Sequence, residues 1–135
     1  MAPYIGQRVL SLLAACRLLK GCSTGDAKIT RGYRLPARYV IHTVGPVWNG
    51  GSQGERGLLA SCYRRSLEVA VEHDCATVAF PCISTGVYGY PIEKAAQVAI
   101  ETVRETVARK DTLQVITFCC FSSEDEEIYR QLLTT

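Results

Sequence analysis

A short stretch in the middle of the chain combines the residue types that bind phosphate. Residues 77–81 read Thr-Val-Ala-Phe-Pro, an apolar run typical of a buried strand. Two glycines, Gly86 and Gly89, follow it three positions apart, with small hydroxyl residues before the first. Pro91 then opens a helical pattern with Glu93 in its first turn. A strand, a glycine-containing loop and a helix N-terminus together offer an anion unpaired backbone N–H groups and a positive helix dipole.

This glycine loop, residues 82–90, matches neither of the two common nucleotide-binding motifs. No Gly-Lys-Ser or Gly-Lys-Thr follows it, as a Walker loop requires, and its spacing is not Gly-x-Gly-x-x-Gly. An ordinary strand-to-helix turn would show the same pattern. The residues alone therefore leave two interpretations open, a phosphate cradle and a simple turn.

Length and composition predict one globular domain over residues 1–135, with an atypical start at residues 1–11. The chain has 135 residues, 47% of them hydrophobic and 21% charged, and a net charge of +2. No apolar run reaches the ~18 residues of a membrane span, so we expect no membrane partner. The mild charge neither requires nucleic acid nor excludes it, because no basic stripe interleaved with aromatic residues stands out.

The cysteines indicate a reducing compartment. The chain has seven, an odd number that fits a closed disulfide framework poorly. None forms a Cys-x-x-Cys pair and there are only two histidines, so we expect no metal site. We therefore predict a cytoplasmic protein with free thiols.

Helical and strand patterns alternate along the chain. Helices are predicted over residues 8–20, 55–73 and 92–110 and after a cap at Ser122 or Ser123, and strands over residues 27–30, 39–44, 77–81 and 113–121. The run at 113–121 is nearly all apolar, which predicts a strand covered on both faces. A lipoprotein cleavage box is the alternative for residues 13–16, but a single preceding arginine favours the helix. Such alternation predicts an α/β fold, with a mostly parallel sheet between helices and ligands bound where strands hand over to helices.

Two longer segments resemble the macrodomain family. The first is Gly-Asp-Ala-Lys-Ile-Thr at residues 25–30 with Leu-Pro-Ala-Arg-Tyr-Val-Ile-His-Thr-Val-Gly-Pro at residues 35–46, and the second is Val-Ala-Phe-Pro-Cys-Ile-Ser-Thr-Gly-Val-Tyr-Gly-Tyr-Pro at residues 78–91. The similarity is to the branch that hydrolyses ADP-ribosyl esters on acidic side chains and deacetylates O-acetyl-ADP-ribose. It implies a three-layer α/β/α sandwich with a mixed, mostly parallel sheet. It also implies that ADP-ribose, free or on a protein, binds in a crest above the sheet without a cofactor.

The resemblance also implies which residues meet the ligand. Tyr88 is the catalytic candidate, because it could help place the substrate. Phe121, at the end of the last strand, would lie near the adenine or its ribose as a stacking surface. The loop residues that would wrap the diphosphate and the distal ribose are Ser84, Thr85, Gly86, Val87 and Gly89.

The chain departs from the family pattern at its start, where it reads as N-terminally shortened. The family's first strands carry an acid that holds the adenine amine, an Asn-Ala-Ala-Asn run and a second glycine-rich loop with the catalytic aspartate. The only asparagine here is Asn49. No aspartate of the chain lies in a glycine-rich loop that follows a predicted strand. The four aspartates are Asp26, Asp74, Asp111 and Asp125.

Three hypotheses follow from this departure. The first is an impaired ester hydrolase or deacetylase that binds ADP-ribose weakly and turns over slowly or not at all. The second is a non-catalytic module that reads ADP-ribose or RNA, and the third is a fragment that binds nothing useful. Because missing strands would bare a sheet edge, we also expect a homo-oligomer that covers it.

Overall fold

The computed structural model of the protein, which describes residues 21–32 and 35–134, begins with two successive strands, after which helices and strands alternate. The helix predicted at residues 8–20 lies outside the described residues. The strands are β1 (Ala27–Arg31), β2 (Tyr39–Thr43), β3 (Thr77–Pro81) and β4 (Val115–Cys119). The helices are α1 (Glu55–Glu72), α2 (Ile92–Val107) and α3 (Ser123–Leu133). All seven correspond to predicted elements, with ends that differ by a few residues.

The described strands form two separate pairs. Strands β1 and β2 are antiparallel, with Ala27 opposite Thr43, whereas β3 and β4 are parallel, with Thr77 opposite Val115. The short connection between β1 and β2 suits an antiparallel pair, and helix α2 is the crossover that a parallel pair needs. The described strands thus pair in both directions, as a mixed sheet requires, with one antiparallel and one parallel pair.

The core lies between the helices and one face of the β3–β4 pair. Phe80 of β3 packs against Tyr63 of α1, with ring centroids 4.9 Å apart. Small residues of α2 allow helices α1 and α2 to approach closely, and the fully buried ones among them are Ala95, Ala96 and Ala99.

Strand β4 corrects one expectation of the sequence. Its apolar run predicted burial on both faces, but Val115 is 54% exposed and Thr117 and Cys119 are exposed as well. Ile116 and Phe118 pack against the core. The helices that the structure describes pack against the face that carries these two side chains, so burial alternates along the strand.

Candidate functional site

The glycine loop leaves the carboxyl end of β3 and leads directly into helix α2. Three hydrogen bonds give it a compact shape. Thr85 Oγ1 donates to the Cys82 carbonyl at 2.9 Å, and the Tyr90 N–H donates to the Ser84 carbonyl at 2.9 Å. The Gly89 N–H donates to the Gly86 carbonyl at 3.0 Å. The loop is therefore held in shape by hydrogen bonds among its own residues.

The tip of the glycine loop presents consecutive backbone donors to solvent. Within the described part of the chain, the N–H groups of Gly86, Val87 and Tyr88 make no hydrogen bond. Val87 is fully exposed, and Pro91 gives helix α2 no side-chain cap. Free N–H groups beside an uncapped helix N-terminus attract an anion, because both carry partial positive charge.

Ser84 forms the floor of the loop. Its backbone has a φ of 68°, in the left-handed region, and its buried hydroxyl makes no hydrogen bond to any residue that the structure describes. Gly45, just after β2, packs so closely that a Cβ there would collide with the Ser84 hydroxyl and with Ile83. The Ser84 side chain thus faces the interior, and only its backbone is part of the loop's outer surface.

A turn formed by residues 48–54, the Trp48 turn, supports the glycine loop from the side. The Trp48 N–H donates to the Tyr88 carbonyl at 2.9 Å. The Trp48 ring lies against Tyr90, with centroids 4.6 Å apart, and Lys94 Nζ lies 5.4 Å from its centroid. These contacts join the turn to the end of the loop and to the first turn of α2.

A buried carboxylate closes the Trp48 turn. Glu55, only 2% exposed, accepts hydrogen bonds from the backbone N–H groups of Asn49 at 2.8 Å, Gly51 at 2.9 Å and Gln53 at 2.6 Å. Burial raises the pKa of the Glu55 carboxyl, but these donors outweigh it and lower the pKa to about 2.

The glycines of the Trp48 turn predict only a turn, so the sequence pattern does not reveal this support. The available signal was an acid at the first position of a helix, directly after several glycines. Glycine is required at position 51, where φ is 90° and a Cβ would come within 2.8 Å of the Trp48 ring.

Phe121 lies at the same edge of the sheet as the glycine loop. It follows β4, its side chain is fully exposed, and Ser122 after it caps helix α3 by accepting a hydrogen bond from the Asp125 N–H. Because β3 and β4 are parallel with Pro81 opposite Cys119, the segments after both strands emerge together. Tyr88, 41% exposed, belongs to the same edge. The predicted site residues therefore all follow the carboxyl ends of the adjacent strands β3 and β4, and the Ser84 side chain is turned inward.

The described residues contain neither a membrane-spanning helix nor a cluster of metal-binding side chains. No helix in residues 21–32 and 35–134 is both long and apolar enough to cross a membrane. Over the same ranges, no three His, Cys, Asp or Glu side chains are grouped so that they could bind a metal ion.

Comparison with known proteins identifies the family. The family model of the macro domain matches residues 6–99. The chain belongs to the macro domain family. A macro domain-containing protein of Chlorobaculum tepidum is 62% identical over 122 residues, which cover 90% of this chain and 71% of that protein. The ADP-ribose glycohydrolase MACROD2 of Xenopus laevis is 54% identical over 125 residues, 91% of this chain but only 30% of that protein.

Solved macro domain structures have the same fold. The Oceanobacillus iheyensis macrodomain with ADP matches with a TM-score of 0.87 and 39% identity, covering 92% of this chain and 68% of that one. The Trypanosoma brucei macrodomain in complex with ADP-ribose matches with a TM-score of 0.84 and 37% identity, covering 90% and 51%. The family resemblance and the α/β fold class predicted from the sequence are confirmed.

Proposed function

We propose that this macro domain binds ADP-ribose, with the diphosphate on the glycine loop. The observation that carries the proposal is the run of three free N–H groups at Gly86, Val87 and Tyr88, next to the uncapped N-terminus of helix α2. Phosphate oxygens accept such hydrogen bonds, and the helix dipole favours their charge. Gly86 has open space around it, so phosphate can reach the backbone.

Relatives support this choice of ligand. The Trypanosoma brucei structure, 37% identical to this chain, is a complex with ADP-ribose, and the Xenopus laevis relative is named an ADP-ribose glycohydrolase. We extend the ligand to this chain because the glycine loop offers the same kind of donor that a diphosphate requires.

Phe121 and Tyr88 complete the proposed site. Phe121 has a free aromatic face at the edge where the loop ends, and an adenine ring would stack on it. Tyr88 is partly exposed beside the free N–H groups and would orient the distal ribose. Ser84, Thr85 and Gly89 shape the loop, since their hydrogen bonds and backbone angles set its path.

We propose that this chain binds ADP-ribose but hydrolyses ADP-ribosyl esters slowly or not at all. Hydrolysis of an ester needs a water molecule and a group that orients or deprotonates it, and such a base contributes ~10²–10⁴-fold. The glycine loop contains no carboxylate. The buried carboxylate of Glu55 already accepts three backbone hydrogen bonds, so it is not available as a base.

Hydrolysis of ADP-ribosyl esters on acidic side chains, or of O-acetyl-ADP-ribose, is the second candidate function. The glycohydrolase name of the Xenopus laevis relative favours it. Release of ADP-ribose from a protein modified on glutamate, measured with purified protein, distinguishes the two. A robust rate that Tyr88→Phe lowers would support the enzyme, and turnover close to the uncatalysed rate would support the binding module.

The matched pair Gly86→Glu and Gly57→Glu tests ADP-ribose binding. Gly86→Glu adds a negative charge beside the proposed diphosphate, and neither position has an atom that a Cβ would meet. We expect Gly86→Glu to weaken ADP-ribose binding by on the order of 100-fold or more in calorimetric titration. Gly57 is exposed on helix α1, so Gly57→Glu should bind as the wild type does. Equal affinities of both variants would contradict the proposed loop.

Phe121→Ala tests the proposed adenine contact. Loss of a base-stacking aromatic ring weakens binding by about 1–3 kcal/mol, so we expect roughly 5- to 150-fold lower affinity for ADP-ribose. The melting temperature should not change, because the ring is fully exposed. Leu133→Ala removes an exposed apolar side chain from the last turn of α3 and serves as the control. An unchanged affinity of Phe121→Ala would remove this residue from the site.

Several expectations drawn from the sequence remain predictions. We still expect ADP-ribosylated protein as a partner, a cytoplasmic location and a homo-oligomer. RNA remains the alternative ligand of a non-catalytic module. A competition titration in which ADP-ribose displaces a labelled RNA oligonucleotide would show whether one site serves both.

A further inference from the structure

Two cysteines meet where the strands β3 and β4 end. Pro81 and Cys119 are the last of the five residue pairs in the parallel ladder, so Cys82 and Cys120 are the first residues beyond it. Neighbouring strands lie about 4.8 Å apart, and a disulfide needs its two Cα atoms roughly 4.4–6.8 Å apart. Continuation of the ladder by one residue therefore places Cys82 and Cys120 at a spacing that a disulfide can bridge.

The side chains of Cys82 and Cys120 also lie on the same face of the strand pair. Side chains alternate along a strand, so each cysteine shares the face of the residue two positions earlier. Those residues, Phe80 and Phe118, stack with ring centroids 6.3 Å apart on the face that packs against the core. Cys82 and Cys120 pack against the same core cluster, and both are half-buried.

Two observations show that the thiols are close to each other. Cys82 Sγ lies 3.8 Å from the carbonyl oxygen of Cys119, in the peptide bond that joins Cys119 to Cys120. The pKa of the Cys120 thiol is raised, mainly by burial and next by the adjacent Cys82 thiol. Both cysteines are free. Two such neighbouring thiols can be joined without a large movement of either strand.

We propose that Cys82 and Cys120 form an oxidation site, at which a peroxide converts the two thiols to a disulfide between the ends of β3 and β4. The thiolate of one cysteine attacks a peroxide oxygen, the O–O bond breaks, and a sulfenic acid and hydroxide form. The second sulfur attacks the sulfenic sulfur, an S–S bond replaces the S–O bond, and water leaves with the second thiol proton. The proton of the first thiol turns the hydroxide into water. With hydrogen peroxide, the two sulfurs together give up two electrons and the peroxide becomes two water molecules.

The surroundings of Cys120 keep this pair reduced until peroxide accumulates. A raised pKa holds the Cys120 thiol protonated at neutral pH, so it reacts slowly and needs an excess of peroxide. The negative charges of Asp125 and Glu126 on α3 add to this effect. Disulfides in reducing compartments are usually transient and redox-sensing, and a reversible bridge agrees with the cytoplasmic location that we expect.

The bridge would connect the two segments that carry the proposed ADP-ribose site. Cys82 begins the glycine loop, and its carbonyl accepts the hydrogen bond of Thr85 Oγ1. Cys120 directly precedes Phe121. This consequence rests on the proposed function. A bridge that restricts motion between the two segments should strengthen ADP-ribose binding roughly 2- to 10-fold, because less freedom is lost on binding.

Peptide mapping of the wild-type protein tests the oxidation site directly. The protein is treated with hydrogen peroxide, its remaining thiols are alkylated, and linked cysteines are identified in a digest by mass spectrometry. We expect a link between Cys82 and Cys120 that a dithiol reductant removes, and a melting temperature about 5–10 °C higher in the oxidised form. Cys119→Ser, on the opposite face of β4, should keep both effects, whereas Cys120→Ser should lose both.

The oxidation site is wrong if peroxide gives only sulfinic acids, or links that involve other cysteines or join two molecules. It is also wrong if Cys120→Ser gains the same stability on oxidation as the wild type. Calorimetric titration of the reduced and oxidised forms with ADP-ribose tests the consequence separately, and equal affinities would contradict it. A mapped bridge without ADP-ribose binding in either form would contradict the proposed function and support the oxidation site alone.

Discussion

The glycine loop and the Trp48 turn both present backbone N–H donors, but the donors of the turn bind a carboxylate of the protein and those of the loop are free. Both gather several N–H groups in a glycine-containing segment just before a helix. In the Trp48 turn the donors of Asn49, Gly51 and Gln53 are all used by the carboxylate of Glu55. In the glycine loop the three donors at the tip have no partner within the described chain. One segment carries its own anion, and the other is left open to an external one.

This difference separates a structural element from a binding element. A buried anion that accepts several N–H bonds fixes a turn permanently, whereas free donors at the surface cost little because water reaches them. The hydrogen bond from the Trp48 N–H to the Tyr88 carbonyl links the turn to the glycine loop, so a fixed turn also restricts the loop. We infer that Glu55 keeps the glycine loop in shape without touching its ligand.

Glu55→Gln should give the largest effect on stability and should change its pH dependence. The folded-state pKa of about 2 lies below the ordinary 4.5, so the charged carboxylate stabilises the fold above about pH 4.5. That contribution is lost as the pH falls from about 4.5 towards 2. At pH 7 we expect the variant to melt about 5–10 °C lower than the wild type. Thermal melts between pH 7 and pH 3 should converge as the pH falls.

Glu93→Gln is the control, because Glu93 also lies in the first turn of a helix but is exposed. Its melting temperature should stay close to that of the wild type at every pH. A Glu55→Gln variant as stable as Glu93→Gln would show that the buried carboxylate does not hold the turn.

The paired variants Gly51→Ala and Gly86→Ala compare the two segments directly. Alanine at position 51 meets both a φ of 90° and the Trp48 ring, so we expect a loss of about 1–3 kcal/mol in the free energy of unfolding. Gly86 lies outside the left-handed region, with open space around it, and its change should leave stability unaltered. Urea unfolding of both proteins measures this. Similar losses in both would mean that the glycine loop is as constrained as the turn.

The sequence predicted the exposed half of the candidate site better than its support. The strand, the two glycines and the proline of the glycine loop are close in sequence, so local pattern narrowed this segment to a phosphate cradle or a simple turn, and the family resemblance favoured the cradle. The role of Glu55 depends on where its side chain points, and that of Trp48 on a contact with Tyr88, far along the chain. Only the folded structure brings these residues together.

Prediction of the fold from the sequence was likewise limited to features that are local in the chain. All seven described elements were predicted, because each has a hydrophobic period or a clear cap, as Ser122 has. The pairing of strands was not, since periodicity does not tell which edge meets which. The division of the described strands into two pairs and the exposed face of β4 therefore appear only in the structure.

Trp48→Phe tests the link between the two segments and should give the smallest effect. The backbone bond from residue 48 to Tyr88 remains, but the smaller ring loses part of its contact with Tyr90 and with Lys94. An aromatic pair of this kind contributes about 0.5–1.5 kcal/mol, so we expect roughly 2- to 10-fold weaker ADP-ribose binding. Calorimetric titration measures it, with Phe121→Ala as the reference for a lost direct contact. If Trp48→Phe lowers the melting temperature but leaves affinity unchanged, the turn stabilises the fold without shaping the glycine loop.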